Sequence, residues 1–116
     1  MITVEENLVK KANIDGKQYI YHYELLQNDI YFSSECDKVK VISYGIGIER
    51  EDFIDGKLVG KNKNYIKNVS PRKVKVKKLL KMLYDNIVSP IHLVDILGEY
   101  VDNYVLDYDN ALKENL

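Results

Sequence analysis

The chain has 116 residues, of which 46% are hydrophobic and 30% are charged, and its formal net charge is −1. This length suits one domain with a single modest core, and the composition excludes a wholly disordered chain. The one cysteine, Cys36, excludes an internal disulfide and favours a reducing compartment. The N-terminus lacks the features of a secretory signal, and no apolar stretch approaches the roughly 20 residues of a membrane helix. We therefore expect a cytoplasmic protein with no membrane partner.

The first part of the chain is rich in β-forming residues and predicts an antiparallel sheet. Strands are expected over residues 2–12, 17–26, 38–49 and, in a short form, 64–69. Asp15-Gly16 and Asp55-Gly56 are typical of tight hairpin turns, because glycine adopts a positive φ at little cost. Asn28-Asp29 predicts a further turn.

Two of the predicted strands have informative faces. One face of the second strand carries Tyr19, Tyr21, Tyr23 and Leu25. We expect the helices to cover this face, so core packing explains the tyrosines better than stacking on nucleic-acid bases does. In the third strand, Gly45 and Gly47 indicate a bulge, a sharp twist or the close approach of a neighbouring chain, which could be a partner.

Two helices are predicted after the sheet. Each follows a Ser-Pro dipeptide, at residues 70–71 and 89–90, which offers a capping hydroxyl and a proline for the first helical position. The apolar stripe of the first helix comprises Val76, Leu79, Leu80, Leu83 and Ile87. That of the second comprises Leu93, Val94, Leu97, Tyr100, Val101 and Tyr104. Gly98, inside the second helix, costs about 1 kcal/mol relative to alanine and suggests close helix packing there.

These elements predict an α+β fold. An antiparallel β-meander of about four or five strands is followed by two C-terminal helices, which pack on one sheet face. We expect a single domain over residues 1–106 and a polar C-terminal tail over residues 107–116.

Three segments, "YHYELL", "YGIGIE" and "VSPIHLVDILGEYV", resemble a family of short clostridial proteins known only as a domain of unknown function. The resemblance runs from about Tyr19 to Tyr104 and is strongest at the serine-proline-x-histidine-leucine opening of the second helix. It implies a bacterial, cytoplasmic protein. It implies no activity and no functional residues.

Charge is strongly segregated along the chain. Residues 1–55 carry a net charge of −5, and residues 85–116 carry −6. Residues 56–84 hold ten basic side chains and no acidic one. Near-neutrality therefore conceals a basic block between two acidic ones.

The basic helix breaks two local rules. Cations in the first turn of a helix are disfavoured by about 0.3–1 kcal/mol, and like charges at i, i+4 spacing repel each other. The residues concerned form the candidate surface for an anion or a partner: Arg72, Lys73, Lys75, Lys77, Lys78 and Lys81. We expect some anion to offset these costs.

Three anions are candidates: the chain's own carboxylates, a nucleic acid, and an acidic protein surface such as the second helix of another copy. On the second helix, Asp95, Glu99 and Asp102 lie opposite the apolar stripe and point to water. Internal pairing is therefore expected to be partial, with the cationic ridge left largely uncovered. Carboxylates of the chain already matched to most of these cations would remove the reason to expect a partner there.

No catalytic constellation is predicted. Cys36, His22 and His92 have no spacing that joins them, and carboxylate pairs such as Glu49 and Glu51 imply no pocket. We expect no enzyme, metal, cofactor or small-molecule substrate. The predicted function is a small protein-interaction or regulatory module with a basic helix face, which binds an acidic protein surface or itself. The alternative is a nucleic-acid-binding accessory protein that uses Lys73, Lys77, Lys78 and Lys81.

Overall fold

The computed structural model describes residues 2–33 and 37–114. Its elements are β1 (Thr3–Ile14), β2 (Lys17–Ser33), β3 (Lys38–Ile54), β4 (Lys57–Ser70), α1 (Lys73–Asp85), a 3-10 turn (Pro90–His92), α2 (Leu93–Asn103) and α3 (Val105–Glu114). The strands form one antiparallel sheet in the order β1-β2-β3-β4. The predicted α+β meander with C-terminal helices is confirmed, and α3 is an addition to it.

The two Asp-Gly turns form as predicted. Asp15 and Asp55 each have a φ of 50°, and the glycines that follow them have φ of 79° and 76°. Positive φ at both central residues is the geometry that matches the twist of a two-residue hairpin. These turns join β1 to β2 and β3 to β4 at one end of the sheet.

The hairpin of β2 and β3 is longer than predicted. Each of its strands has 17 residues, and the molecule extends 59 Å along its longest axis. The turn predicted at Asn28-Asp29 is wrong, because both residues lie within β2 and pair with β3. The Asn28 amide donates to Asn68 Oδ1 at 2.8 Å, so the sheet satisfies this polar side chain.

The core lies between one face of the sheet and the helices α1 and α2. Its fully buried side chains come from both layers and include Tyr23, Leu25, Ile46, Ile48, Val76, Leu80, Leu83, Leu93 and Leu97. Full burial of each such apolar side chain stabilises the fold by about 1.5–3 kcal/mol. The predicted core role of the tyrosine face is confirmed at Tyr21 and Tyr23, which are both buried. Tyr23 donates a hydrogen bond to Val88 O at 3.0 Å, and burial raises the pKa of its hydroxyl, helped by the neighbouring Tyr21.

The ends of the helices differ in part from the sequence prediction. Helix α1 begins at Lys73, two residues after Pro71, and Ser70 accepts a hydrogen bond from the Arg72 N–H at 3.0 Å. Ser70 therefore orders the approach to the helix and does not cap it. Pro90 does begin the 3-10 turn, without a side-chain cap. Ile87 lies beyond α1, 41% exposed and with φ of 50°, so its assignment to the buried stripe is wrong.

Helix α3 occupies residues that the sequence analysis assigns to a polar tail. Tyr108 and Ser43 of β3 share a hydrogen bond at 2.6 Å between their hydroxyl oxygens, and Ala111 is buried. The pairing of β4 with β3 stops at Tyr44, so Ser43 and the residues before it have no strand neighbour on that side. Helix α3 contacts β3 and covers this exposed end. In the described part of the chain, no helix is both long and apolar enough to cross a membrane.

Gly45 marks the point where β4 crosses very close to β3. Between the rungs Tyr44–Ser70 and Ile46–Ile66, the register of β4 shifts against β3. A Cβ on Gly45 would lie 2.2 Å from two backbone oxygens of β4, closer than any side chain tolerates. Of the alternatives predicted at Gly45, the structure shows a shift of register and a close approach, and the neighbour is a strand of the same chain and not a partner.

Candidate functional site

The six predicted cations lie on α1 or directly before it, and together they are named the cationic face: Arg72, Lys73, Lys75, Lys77, Lys78 and Lys81. Four of them form ion pairs within the chain: Arg72–Glu114 (3.0 Å), Lys75–Asp107 (2.9 Å), Lys77–Glu6 (2.9 Å) and Lys81–Asp85. The partners come from β1, α1 and α3. The three acids on α2 are exposed, as predicted.

Two lysines of β4 are also matched. Lys61 lies 3.6 Å from Glu49, and Lys63 lies 3.3 Å from Glu24. Six of the ten basic residues in the block 56–84 therefore have a carboxylate within 4 Å. The expectation that the fold leaves this block largely uncovered is wrong, and charge density alone is no longer a reason to expect a partner there.

Asp107 is the best-enclosed partner of the cationic face, with a side chain that is 13% exposed. Lys75 donates to both of its oxygens at 2.9 Å, and Ser70 donates at 2.9 Å. Burial alone would raise the pKa of Asp107, but the hydrogen bonds from Lys75 and Ser70 and the charges of Lys75 and Arg72 hold it below its ordinary value. This carboxylate ties α3 to the start of α1.

Lys73 and Lys78 are the cations of this face that keep unmatched charge. The Lys73 ammonium lies 5.8 Å from the centre of the Tyr44 ring. Within residues 2–33 and 37–114, neither lysine has a carboxylate within 4 Å. Since the other four cations each have a carboxylate, two positive charges remain for solvent or a partner.

A second surface, the open face, comprises Ile91 of the 3-10 turn, Val94, Asp95, Gly98, Glu99 and Asp102 of α2, and Val105 of α3. Ile91, Val94 and Val105 are 78%, 54% and 55% exposed. The assignment of Val94 to the buried stripe is therefore wrong. No cation of the described residues lies within 4 Å of the three acids.

Gly98 has a different setting from the one predicted. A Cβ at this position would meet no heavy atom within 4 Å, so none of the described helices packs against it. Ile91, Val94, Gly98 and Val105 recur at intervals of three, four and seven residues, beside the buried stripe. The apolar arc of α2 is wider than the sheet can cover, a pattern visible in the sequence.

A polar cluster lies on the sheet face opposite the core that α1 and α2 cover. His22 pairs directly with Glu49 in the β2–β3 ladder, and its Nε2 lies 2.8 Å from Glu51 Oε1. The ligand atoms of the three side chains all lie within 4.8 Å of one another. From the sequence, Glu49 is paired with Glu51 but His22 is not joined to them, although the register of one hairpin brings all three together. His92 is exposed on the 3-10 turn, and Cys36 lies outside the described residues.

An open cleft of about 460 Å³ lies between β4 and the 3-10 turn. Its lining includes Arg50 and Lys63. Arg50 makes two hydrogen bonds to Asp52, at 2.8 and 3.1 Å, and Lys63 is paired with Glu24. An anionic ligand in this cleft would therefore have to compete with Asp52 and Glu24 for the two cations.

Comparison with known proteins places the fold in a family. No curated protein matches the chain, and no solved structure matches it. The model of a family of unknown function (DUF6514) matches residues 2–103, which include the whole sheet, α1 and α2. The predicted resemblance to a domain of unknown function is confirmed. Since the match covers most of its length, the chain belongs to this family of unknown function.

Proposed function

We propose that this protein is a small, non-catalytic interaction module that self-associates through the open face of α2 and the unmatched lysines of α1. One observation carries the proposal. The open face has three acids without a cation, and the cationic face has two lysines without a carboxylate, within the residues that the structure describes. The chain thus contains both halves of a complementary contact.

The apolar part of the open face supplies the driving force. Ile91, Val94 and Val105 are each more than half exposed. Removing such side chains from water stabilises an interface by about 25 cal/mol for each Å² of apolar surface. Gly98 lies among them and gives a partner close access to the helix backbone. The helix accepts a local cost of about 1 kcal/mol for this glycine, which no internal packing explains.

A second copy of this chain is the occupant that the charges favour. In a twofold arrangement, α2 of each copy meets α1 of the other, so the complementary contact is made twice. Acids of the open face then lie near Lys78 of the other copy. Such pairs contribute to register and association rate more than to affinity. A foreign partner that covered both faces would need a basic surface and an acidic surface at matching positions.

A heterologous acidic protein and a nucleic acid are the competing occupants. Four of the six cations of the cationic face already have carboxylate partners. Binding of phosphates would therefore have to displace the chain's own carboxylates, and it would release fewer counterions for the same number of lysines. The cytoplasmic location predicted from the sequence is part of this proposal.

Charge reversal on both faces tests the proposal. The dimer dissociation constant is measured by sedimentation for Lys78→Glu, for Glu99→Lys and for the two combined. We expect each single change to raise this constant by about tenfold or more, which corresponds to about 1.4 kcal/mol. The combined change is expected to restore at least part of the lost dimer affinity, because the two complementary charges are exchanged and not removed. The control is Glu5→Lys, an exposed acid on β1, the opposite edge of the sheet from β4 and α2.

Two results would contradict self-association. One is a wild-type chain that stays monomeric up to millimolar concentration. The other is a dimer that responds to Glu5→Lys as strongly as to Glu99→Lys. If the chain is a monomer that retards nucleic acid at low salt, and if Lys78→Glu abolishes this retardation, nucleic-acid binding becomes the favoured function.

A further inference from the structure

We propose that His22, Glu49 and Glu51 form a binding site for a first-row divalent metal ion, for which Zn²⁺ is the probe. This site lies on the sheet face opposite the core that α1 and α2 cover, and it is independent of the self-association proposed above. The three side chains combine one imidazole with two carboxylates. Imidazole favours Zn²⁺ and its neighbours over Mg²⁺ and Ca²⁺, and carboxylates are accepted by Zn²⁺ and Mn²⁺.

The hairpin pre-arranges the three ligands. His22 and Glu49 are directly opposite in the β2–β3 ladder, and Glu51 follows Glu49 by two residues, so all three side chains leave the same face. Their ligand atoms lie within 4.8 Å of one another, with His22 Nε2 at 2.8 Å from Glu51 Oε1. Two ligands of a tetrahedral Zn²⁺ are separated by about 3.3 Å, given metal–ligand bonds of about 2.0–2.1 Å. Small side-chain rotations reach this separation without movement of the strands.

Glu49 has oxygens available for a metal ion. Its side chain is only 19% exposed, yet it makes no hydrogen bond to any residue that the structure describes. Its contacts are long ion pairs, 3.6 Å to Lys61 and 4.0 Å to Lys63. Glu51, a second carboxylate, lies close by, and a cation between the two relieves their mutual repulsion.

Of the two neighbouring lysines, Lys61 would give up its long pair with Glu49 at 3.6 Å, whereas Lys63 would stay paired. Lys63 has a second carboxylate, Glu24, at 3.3 Å, which is closer than Glu49. A metal ion can therefore take Glu49 and leave Lys63 paired. Two carboxylates and a neutral imidazole balance the two positive charges of the ion, and the three protein ligands leave a coordination position for water.

Calorimetric titration with Zn²⁺ tests the site. The wild-type chain is expected to bind one ion, and His22→Gln and Glu49→Gln are each expected to weaken binding by about tenfold or more. The matched controls are His92→Gln, which removes the other, exposed imidazole, and Cys36→Ser, which removes the thiol. Both controls should change the affinity by less than about twofold. Absence of Zn²⁺ binding, or a loss that follows His92 or Cys36 and not His22, overturns the proposal.

A measurement on the unaltered chain removes any dependence on how the variants fold. The ring nitrogens of the two histidines are observed by NMR as Zn²⁺ is added. Saturable shifts at His22, with smaller or no shifts at His92 and with no response to Mg²⁺, support the site. Equal shifts at both histidines, or shifts at His92 alone, contradict it.

Discussion

The two main helices of this protein, α1 and α2, differ in how far their charged side chains are paired within the chain. Helix α1 has the larger charge, but four cations of its cationic face meet carboxylates of the same chain. Helix α2 has fewer charged residues, yet its three acids meet no cation in the described part of the chain, and apolar side chains lie exposed beside them. The more charged helix is thus the better-satisfied one. The proposed contact surface is therefore identified from unmatched groups and not from the density of charge.

The ion pairs of the cationic face are also unequal among themselves. The lysine and arginine side chains that form them are 43–63% exposed, and ion pairs in such settings contribute about 0–1 kcal/mol each. Asp107 differs, because it is mostly enclosed and accepts hydrogen bonds from both Ser70 and Lys75. The Lys75–Asp107 pair therefore stabilises the contact between α1 and α3, whereas the other three pairs mainly neutralise charge.

Gly45→Ala is expected to have the largest effect on stability. It tests the contrast between Gly45, which is packed against β4, and Gly98, where an added Cβ would meet no heavy atom within 4 Å. The new Cβ would meet the backbone of β4 at 2.2 Å, so the strand must move. We expect the free energy of unfolding to fall by about 3 kcal/mol, at the upper end of the cost of overpacking. Denaturant unfolding measures this change. Gly47→Ala, whose Cβ would make only ordinary contacts from 3.6 Å, is the control, and an equal loss in both variants would contradict the account.

Asp107→Asn removes the carboxylate that joins α3 to the start of α1. We expect the free energy of unfolding at pH 7 to fall by about 1–3 kcal/mol, because Lys75 and Ser70 lose a charged acceptor. The pKa of Asp107 is lower in the folded chain than in the unfolded one, so its contribution is present above about pH 4 and is lost as the pH falls through the folded value. The stability difference between wild type and variant should therefore shrink on acidification. A difference that stays constant from pH 7 to pH 3, or an equal loss in the exposed neighbour Asp109→Asn, would show that the charge of Asp107 is not the cause.

Gly98→Ala is expected to act in opposite directions on stability and association. In dilute solution the monomer should gain about 1 kcal/mol, because the added methyl group meets nothing within 4 Å and alanine is the better helix former. The same methyl group should raise the dimer dissociation constant, because it lies on the open face. Unfolding and sedimentation measurements on one sample separate the two effects. A destabilised monomer would mean that Gly98 serves internal packing after all.

Lys77→Gln should have the smallest effect. Its pair with Glu6 is exposed on both sides, so we expect a change of less than about 0.5 kcal/mol in the free energy of unfolding. Lys78→Gln, which removes a cation without an internal carboxylate, should change the unfolding free energy equally little. If Lys77→Gln alone lowered the free energy of unfolding by more than about 1 kcal/mol, the Lys77–Glu6 pair would contribute to stability as the Lys75–Asp107 pair does.

Local patterns in the sequence predict the features that depend on neighbouring residues. The two Asp-Gly turns follow from the conformational freedom of glycine, and the buried stripe of α1 follows from spacing alone. The Asn28-Asp29 dipeptide is typical of a turn, yet it lies within a strand. Asn28 donates a hydrogen bond to Asn68, which is 40 residues away in the sequence. The helical form of residues 107–114 depends likewise on Ser43 and Ser70, which periodicity cannot detect.

The pairing of the cationic face was beyond sequence reasoning for the same reason. Lys77 finds Glu6, and Lys75 finds Asp107, through contacts that only the tertiary fold creates. The cluster around His22 is different. Once Ser33 is paired with Lys38, the ladder places His22 opposite Glu49 and beside Glu51. A register deduced from the sequence would have revealed this cluster, whereas strand-by-strand analysis does not.

Carboxylate labelling with a water-soluble carbodiimide, read by mass spectrometry at increasing protein concentration, tests the contrast between α1 and α2 most directly. The account predicts slow labelling of Asp107 at every concentration. It predicts fast labelling of Asp95, Glu99 and Asp102 in dilute solution, which slows as copies associate. Labelling of Asp107 as fast as that of Glu99, or labelling of the α2 acids that is the same at all concentrations, would contradict it.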